Sequence, residues 1–122
     1  MKDTEIIETL RSKLGIPGGR HLYGEGRYIE SAEVLARYER EVGQEPPKRR
    51  AEYATYRGLT SLVLGNYPDA HRWMAYAYEV LRYHPTALRP EYRRELDRGW
   101  FELSARMAGP PPFPAAPKGP EF

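Results

Sequence analysis

Two segments of this sequence match each other at a spacing of 39 residues. The first is GRYIESAEVLARYEREVGQEP, from Gly26 to Pro46, and the second is GNYPDAHRWMAYAYEVLRYHP, from Gly65 to Pro85. Both begin Gly-x-Tyr and end at a proline. The residues of one helix face also match: Ser31 with Ala70, Leu35 with Met74, Tyr38 with Ala77, and Val42 with Leu81. Because the break residues and the helix face repeat together, the pattern predicts a repeated unit built from helices.

Apolar residues recur at helical spacing through most of the chain, which predicts an all-α fold of about five helices in antiparallel hairpins. The predicted helices cover residues 3–14, 27–43, 48–64, 68–83 and 90–107. Glycines and prolines lie at their ends, where such residues stop a helix or occupy its first turn. The segment GIPGGRHLYGEG, from Gly15 to Gly26, has five glycines in twelve residues. It predicts a loop with a short extended piece at residues 21–23.

The chain divides into one helical domain, residues 1–108, and a Pro-rich segment, residues 109–122. So many prolines are incompatible with a helix or a central strand, so we expect a flexible tail. Two interpretations remain open. The segment is a solubilising terminus, or it is a Pro-rich ligand for an aromatic groove on another protein.

Composition excludes several classes of protein. The 122 residues contain no cysteine, which excludes disulfides, thiolate zinc sites and cysteine nucleophiles. The start of the chain has no apolar signal-peptide core, and no uncharged run is long enough to cross a membrane. We therefore expect a cytoplasmic protein with no membrane partner. The formal net charge is only +2, and high Arg, Glu, Tyr and Pro content is similar to thermophile composition.

Residues 52–85 resemble a tetratricopeptide-type helical hairpin. The matching residues, in order, are Gly58, Gly65, Tyr67, Ala70, Ala77 and Pro85. The sequence departs from that family at Arg57 and Ser61, and Pro85 comes three residues late. The resemblance extends over about residues 27–107. It implies one complete hairpin, one half-hairpin whose first helix would overlap the Gly-rich segment, and a final helix acting as a cap.

A weaker resemblance links GRYIESAEVLARYE to a small all-helical prokaryotic family of unknown function. The residues that match are Gly26, Arg27, Tyr28, Glu30, Glu33, Val34 and Leu35. Ala32 stands where that family has histidine, so any chemistry of that histidine is lost here. The architecture implied is the same.

Candidate catalytic and metal-binding residues are few. His21 and Glu25 lie close together in the Gly-rich segment, but no third ligand follows at suitable spacing. Asp69 and His71 are two positions apart on a helix and point in different directions. We therefore predict a non-catalytic protein with no metal and no cofactor.

The main prediction is a protein-interaction or assembly module, acting on a protein partner or forming a homodimer. The tetratricopeptide resemblance implies that the first helix of a hairpin lines a groove, and Trp100 and Phe101 add adjacent aromatic side chains. The predicted partner-binding residues are Glu52, Thr55, Leu59, Leu62, Val63, Trp100 and Phe101. Alternatively, the helix at residues 3–14 folds back and covers these positions with Ile6, Ile7 and Leu10.

A second hypothesis is an accessory RNA-binding protein. Arginines interleaved with tyrosines suit stacking on single-stranded nucleic acid. The candidate residues are Arg89, Arg93, Arg94 and Arg98. Acidic residues in the same helix would pair with these arginines and weaken such a surface.

Overall fold

A computed structural model describes residues 16–107, and these residues form six α-helices with no strand among them. The expected all-α class is confirmed. The helices are α1 (Ile16–Gly24), α2 (Tyr28–Arg37), α3 (Glu39–Val42), α4 (Pro47–Val63), α5 (Tyr67–Tyr83) and α6 (Pro90–Arg106). The expected helix at residues 3–14 and the tail at residues 109–122 lie outside the described range. Within the described residues, no helix combines the length and apolar character of a membrane span.

Residues 16–24 of the Gly-rich segment form helix α1, so the expected loop, with its extended piece at residues 21–23, is wrong there. Ile16 is fully buried at the start of α1, and Gly18 and Gly19 are buried one turn later. Each glycine in a helix costs about 1 kcal/mol relative to alanine, so local propensity opposes α1. Tertiary packing stabilises it instead, because only glycine allows α1 to approach α2 this closely.

Gly19 and Gly58 lie 39 residues apart, and each lets the two helices of its hairpin approach closely. A Cβ atom at Gly19 would lie 2.5 Å from Leu35 Cγ, and one at Gly58 would lie 2.6 Å from Met74 Cγ. Leu35 and Met74 are themselves matching residues of the repeat. The first repeat is therefore a complete hairpin, α1 with α2, and α4 with α5 is the second.

Both hairpins turn at the repeated Gly-x-Tyr. Gly26 has φ +79° and Gly65 has φ +84°, a left-handed conformation that favours glycine. Beyond the first turn, α2 breaks at Tyr38 and continues as the single turn α3, where one helix over residues 27–43 was expected. The Tyr38 hydroxyl donates to Glu45 Oε2 at 2.9 Å, which ties this break to the loop before α4.

The helices form two layers, with α1, α4 and α6 in one and α2 and α5 in the other. Contacts at successive positions show that α1 and α6 run parallel to α4. Arg20 meets Glu52 and Tyr23 meets Tyr56, while Tyr92 meets Tyr56 and Gly99 faces Leu59. The central helix, α4, contacts all five of the other helices. Eleven of its residues are buried as a result.

Replacing Gly58 with alanine should destabilise the protein by about 1–3 kcal/mol, because the new methyl group would overpack the α4–α5 contact. The backbone there has little room to yield, since Met74 N and Ala70 O would lie 3.2 and 3.3 Å from the added Cβ. Urea denaturation measures the change. Gly24→Ala is the control, because a Cβ there meets nothing within 4 Å. Equal midpoints for the two variants would contradict the close-approach argument.

Candidate functional site

Three tyrosine rings form a row across the parallel helices α1, α4 and α6. Tyr23 and Tyr56 have ring centroids 5.4 Å apart, and Tyr56 and Tyr92 have centroids 5.7 Å apart. Both pairs meet edge to face, the geometry that aromatic rings prefer. Tyr28, at the start of α2, extends the row with a centroid 5.4 Å from that of Tyr23. We call Tyr23, Tyr56 and Tyr92 the tyrosine ladder.

The ladder lies on the side of α4 that faces away from α5. Glu52, Tyr56 and Val63 follow one another at i, i+4 and i+11, which places them on one stripe of the helix. Contacts with α5 come from the opposite side of α4, where Gly58 meets Met74 and Ser61 donates to Asp69 Oδ2 at 3.0 Å. Tyr56 is almost fully buried, whereas Tyr23 and Tyr92 are partly exposed.

Two arginines lie over the ladder. The Arg20 guanidinium is 5.4 Å from the centre of the Tyr92 ring, and that of Arg89 is 5.8 Å away. Such cation–π contacts each contribute about 0.5–1 kcal/mol at exposed sites. Arg20 also forms an ion pair with Glu52 of α4. The charge of Arg20 is therefore balanced within the protein.

Burial and negative charge keep the phenols of Tyr23 and Tyr56 protonated. Burial raises the pKa of Tyr23 to about 12, and the Glu95 carboxylate adds to this effect. Burial and Glu95 also raise the pKa of Tyr56 well above its usual range. These hydroxyls are therefore hydrogen-bond donors at neutral pH, and a phenolate nucleophile is disfavoured. The ladder can bind through ring faces and donate hydrogen bonds.

The structure separates the seven predicted partner-binding residues into two groups. Thr55, Leu59, Leu62 and Trp100 are buried in the core, and Glu52 is buried beneath Arg20. Val63 is 46% exposed and Phe101 is 63% exposed. An open groove along α4 is therefore absent, because α1 and α6 close over it. Partner binding remains a prediction for the two exposed residues.

Adjacent positions of α6 explain the different environments of Trp100 and Phe101. Trp100 packs against α5, with its ring 5.1 Å from that of His71 and 5.7 Å from that of Tyr78. Phe101 is turned by about 100° on the helix and faces outward. The sequence predicted that Trp100 and Phe101 share a partner-binding role. In the structure, Trp100 lies in the core and Phe101 is exposed to solvent.

The predicted arginines do not form one surface. Arg93 donates to Asp97 Oδ1 at 3.1 Å and lies over the Tyr78 ring, on the side of α6 that faces α5. Arg98 pairs with Glu95 at 2.8 Å, and Arg89 lies over Tyr92. Arg94 is exposed on the outer side of α6. RNA binding by these residues stays a prediction. The positive charges of the four arginines are spread over different sides of α6.

Two other groups of polar residues lie away from the ladder. His21 Nε2 is 3.0 Å from Glu25 Oε2 on the exposed α1–α2 turn, and no group of three metal-ligating side chains occurs within residues 16–107. A pocket of about 280 Å³ lies between the first turn of α4 and the end of α5. It is lined by Arg50, Tyr76, Glu79, Val80, Tyr83 and His84.

In the comparisons with known proteins, no family model, no curated protein and no solved structure matches this chain.

Tyr23, Tyr56 and Tyr92 were not among the residues selected from the sequence. The only available signal was the tyrosine content, because their proximity depends on how α1 and α6 pack on α4.

The contrast between neighbouring residues of α6 is testable by truncation. Trp100→Ala should cost about 3–5 kcal/mol of unfolding free energy, because it removes a buried ring and leaves a cavity. Phe101→Ala should change stability by no more than about 0.5 kcal/mol, because that ring is exposed. Thermal or urea unfolding measures both values. Similar losses for the two variants would contradict the placement of these rings.

Stability should fall as pH rises from about 10 to about 12, because the folded protein holds the Tyr23 proton more tightly than the unfolded chain does. Unfolded tyrosine loses its proton near pH 10, so deprotonation then favours unfolding. Tyr23→Phe removes this contribution, and its stability should decline less between about pH 10 and pH 12. Tyr83→Phe is the control, since it removes a phenol from an exposed ring. A Tyr23→Phe profile that matches the wild type would refute the assignment.

Proposed function

We propose that this chain is a non-catalytic protein-interaction module built from tetratricopeptide-like hairpins, and that the tyrosine ladder is its binding surface. The observation that carries the proposal is the row of three rings across α1, α4 and α6. Tyrosine is enriched at protein interfaces because one ring offers a large contact area and a polar hydroxyl at a low entropic cost.

The repeated packing supports the tetratricopeptide-like part of the proposal. Gly19 with Leu35 and Gly58 with Met74 are equivalent contacts at the period of the sequence repeat. Small residues at matching positions let paired helices approach closely, and the stacked units then place their first helices side by side. In that arrangement the first helices supply a shared surface, and here it carries the ladder.

The surroundings of the ladder favour a peptide of low net charge. Arg20 is paired with Glu52, and Arg98 is paired with Glu95, so these two charges are already compensated, while Arg89 contacts the Tyr92 ring. An acidic or basic ligand would have to displace these partners. Val63 lies on the same stripe of α4 as Tyr56, two turns further along the helix, and is an exposed apolar side chain.

Self-association is the second part of the prediction and involves a different surface. Phe101 lies on the outer side of α6, where the next unit of a repeat protein would pack. A second copy of the chain could cover this ring. Sedimentation of the wild type and of Phe101→Glu tests this role. We expect the wild type to self-associate and Phe101→Glu to be monomeric. A monomeric wild type would exclude self-association through Phe101.

A matched pair of tyrosine variants tests the ladder. Partners captured on immobilised wild-type protein are identified by mass spectrometry, and their affinity is then measured for Tyr92→Ser and Tyr83→Ser. We expect Tyr92→Ser to weaken binding at least tenfold, because it removes one end of the ladder. Tyr83→Ser should bind normally, because that ring is exposed on α5 away from the ladder.

Circular dichroism of both variants establishes that helicity is retained. Equal affinity of the two variants, or equal loss in both, would overturn the assignment of the binding surface. Turnover of a substrate by the purified chain would overturn the non-catalytic proposal.

A further inference from the structure

The pocket between the first turn of α4 and the end of α5 is lined by two charged side chains that do not pair with each other. Arg50 and Glu79 both line this pocket, which has a volume of about 280 Å³. Within residues 16–107, neither side chain forms an ion pair with any other residue. The pocket therefore offers a cation and an anion that the described part of the chain does not neutralise.

Arg50 is held in place by bonds that leave most of its guanidinium group available. Its Nε donates to the Glu45 backbone oxygen at 3.0 Å, and its Nη1 donates to the Tyr76 hydroxyl at 3.4 Å. The Glu45 carboxylate accepts a hydrogen bond from Tyr38 at 2.9 Å and does not pair with Arg50. A guanidinium group has five N–H donors in a planar fork that matches a carboxylate. The remaining donors of Arg50 can therefore bind one carboxylate.

The ends of two helices place opposite partial charges beside the pocket. Arg50 lies in the first turn of α4, and the N-terminal end of a helix carries a partial positive charge. Glu79 and His84 lie near the C-terminal end of α5, where the partial charge is negative. The helix dipoles thus favour an anionic group on the α4 side and a cationic group on the α5 side. Arg50 and Glu79 favour the same orientation.

The remaining lining is mainly aromatic and apolar. Tyr76 is half-buried and packs edge to face on Trp73, with ring centroids 5.9 Å apart. Val80 is buried, and Tyr83 is exposed. Binding sites for small molecules combine such a lining with a few polar groups and have volumes of about 300–1,000 Å³. This pocket lies at the lower end of that range, so it suits a ligand of a few carbon atoms.

We propose that this pocket binds a free α-amino acid with an apolar or aromatic side chain. Its carboxylate binds Arg50, its ammonium group binds Glu79, and its side chain packs on Tyr76 and Val80. One end of a peptide carries only one of these two charges, so the pair of charged groups selects the free amino acid. The site lies on the opposite side of α4 from the tyrosine ladder and does not depend on the function proposed for the ladder.

A titration followed by nuclear magnetic resonance tests the site in the full ¹⁵N-enriched chain. The probes are L-leucine, L-phenylalanine and L-tyrosine. We expect at least one of them to cause saturable shifts at the amides of Arg50, Val80 and His84. The Trp73 indole N–H should shift as well, because that ring contacts Tyr76.

The second tryptophan is an internal control. Trp100 packs on His71 and Tyr78, which lie on the opposite face of α5 from Tyr76 and Val80. Its indole signal should therefore stay in place. Equal shifts of the two indole signals would mean that the amino acid does not bind at this pocket and would contradict the proposal.

Two derivatives of the amino acid that binds separate its two charges. The N-acetyl derivative keeps the carboxylate and loses the ammonium group, whereas the amide derivative keeps the ammonium group and loses the carboxylate. We expect each derivative to bind about tenfold or more weakly than the amino acid, because each loses one charge-assisted contact.

Matched variants assign each charge to its residue. Arg50→Gln should weaken binding of the amino acid by about tenfold or more and remove its preference over the amide derivative. Glu79→Gln should weaken binding similarly and remove the preference over the N-acetyl derivative. Arg49→Gln is the control, because Arg49 is exposed in the same turn and does not line the pocket. A variant that merely perturbed the fold would weaken the amino acid and both derivatives alike.

Three outcomes would overturn the proposal. The first is the absence of saturable shifts with all three amino acids. The second is an N-acetyl or amide derivative that binds the wild type as tightly as the free amino acid. The third is equal affinity of Arg49→Gln and Arg50→Gln. Tyr92→Ser should bind the amino acid normally, so failure of the ladder as a partner site would leave this result unchanged.

Discussion

The close approach of paired helices at Gly19 and Gly58 is the constraint on which the rest of the structure depends. Each glycine faces a large side chain of the opposite helix, Leu35 or Met74, with no space for a Cβ atom. Because α4 lies this close to α5, the other helices can enclose it on its remaining sides. Tyr56 is two residues before Gly58 and Tyr23 four after Gly19, so the same contacts set the positions of two ladder rings.

Burial of α4 requires partners for its polar residues, because an unpaired buried polar group costs about 1–3 kcal/mol. Thr55 donates to Ala51 O at 2.8 Å, Ser61 donates to Asp69, and Thr60 lies 3.3 Å from the Ser31 hydroxyl. Ser31 itself donates to Gly19 O at 2.8 Å. The Thr60 and Ser61 bonds join α4 to α2 and α5 of the other layer, and the Ser31–Gly19 bond joins α2 to α1.

The repeat and the helical periodicity were enough to predict α4, α5 and α6 to within one residue at each end, because local breaks at Gly65 and Pro90 define them. The same reasoning missed α1, because glycine content signals a loop unless packing is known. It also selected Leu59 and Trp100 as surface residues. Periodicity identifies the apolar faces of a helix, but how many of those faces are covered depends on the distances between helices.

Tyrosine rather than phenylalanine in the ladder is informative, because a core position gains nothing from a hydroxyl without a partner. Tyr53 shows the structural use of such a group, since its hydroxyl donates to Leu35 O inside the protein. Tyr23 and Tyr92 instead lie partly exposed at the ends of the row. Their hydroxyl groups are able to donate hydrogen bonds to the carbonyl oxygens of a bound chain.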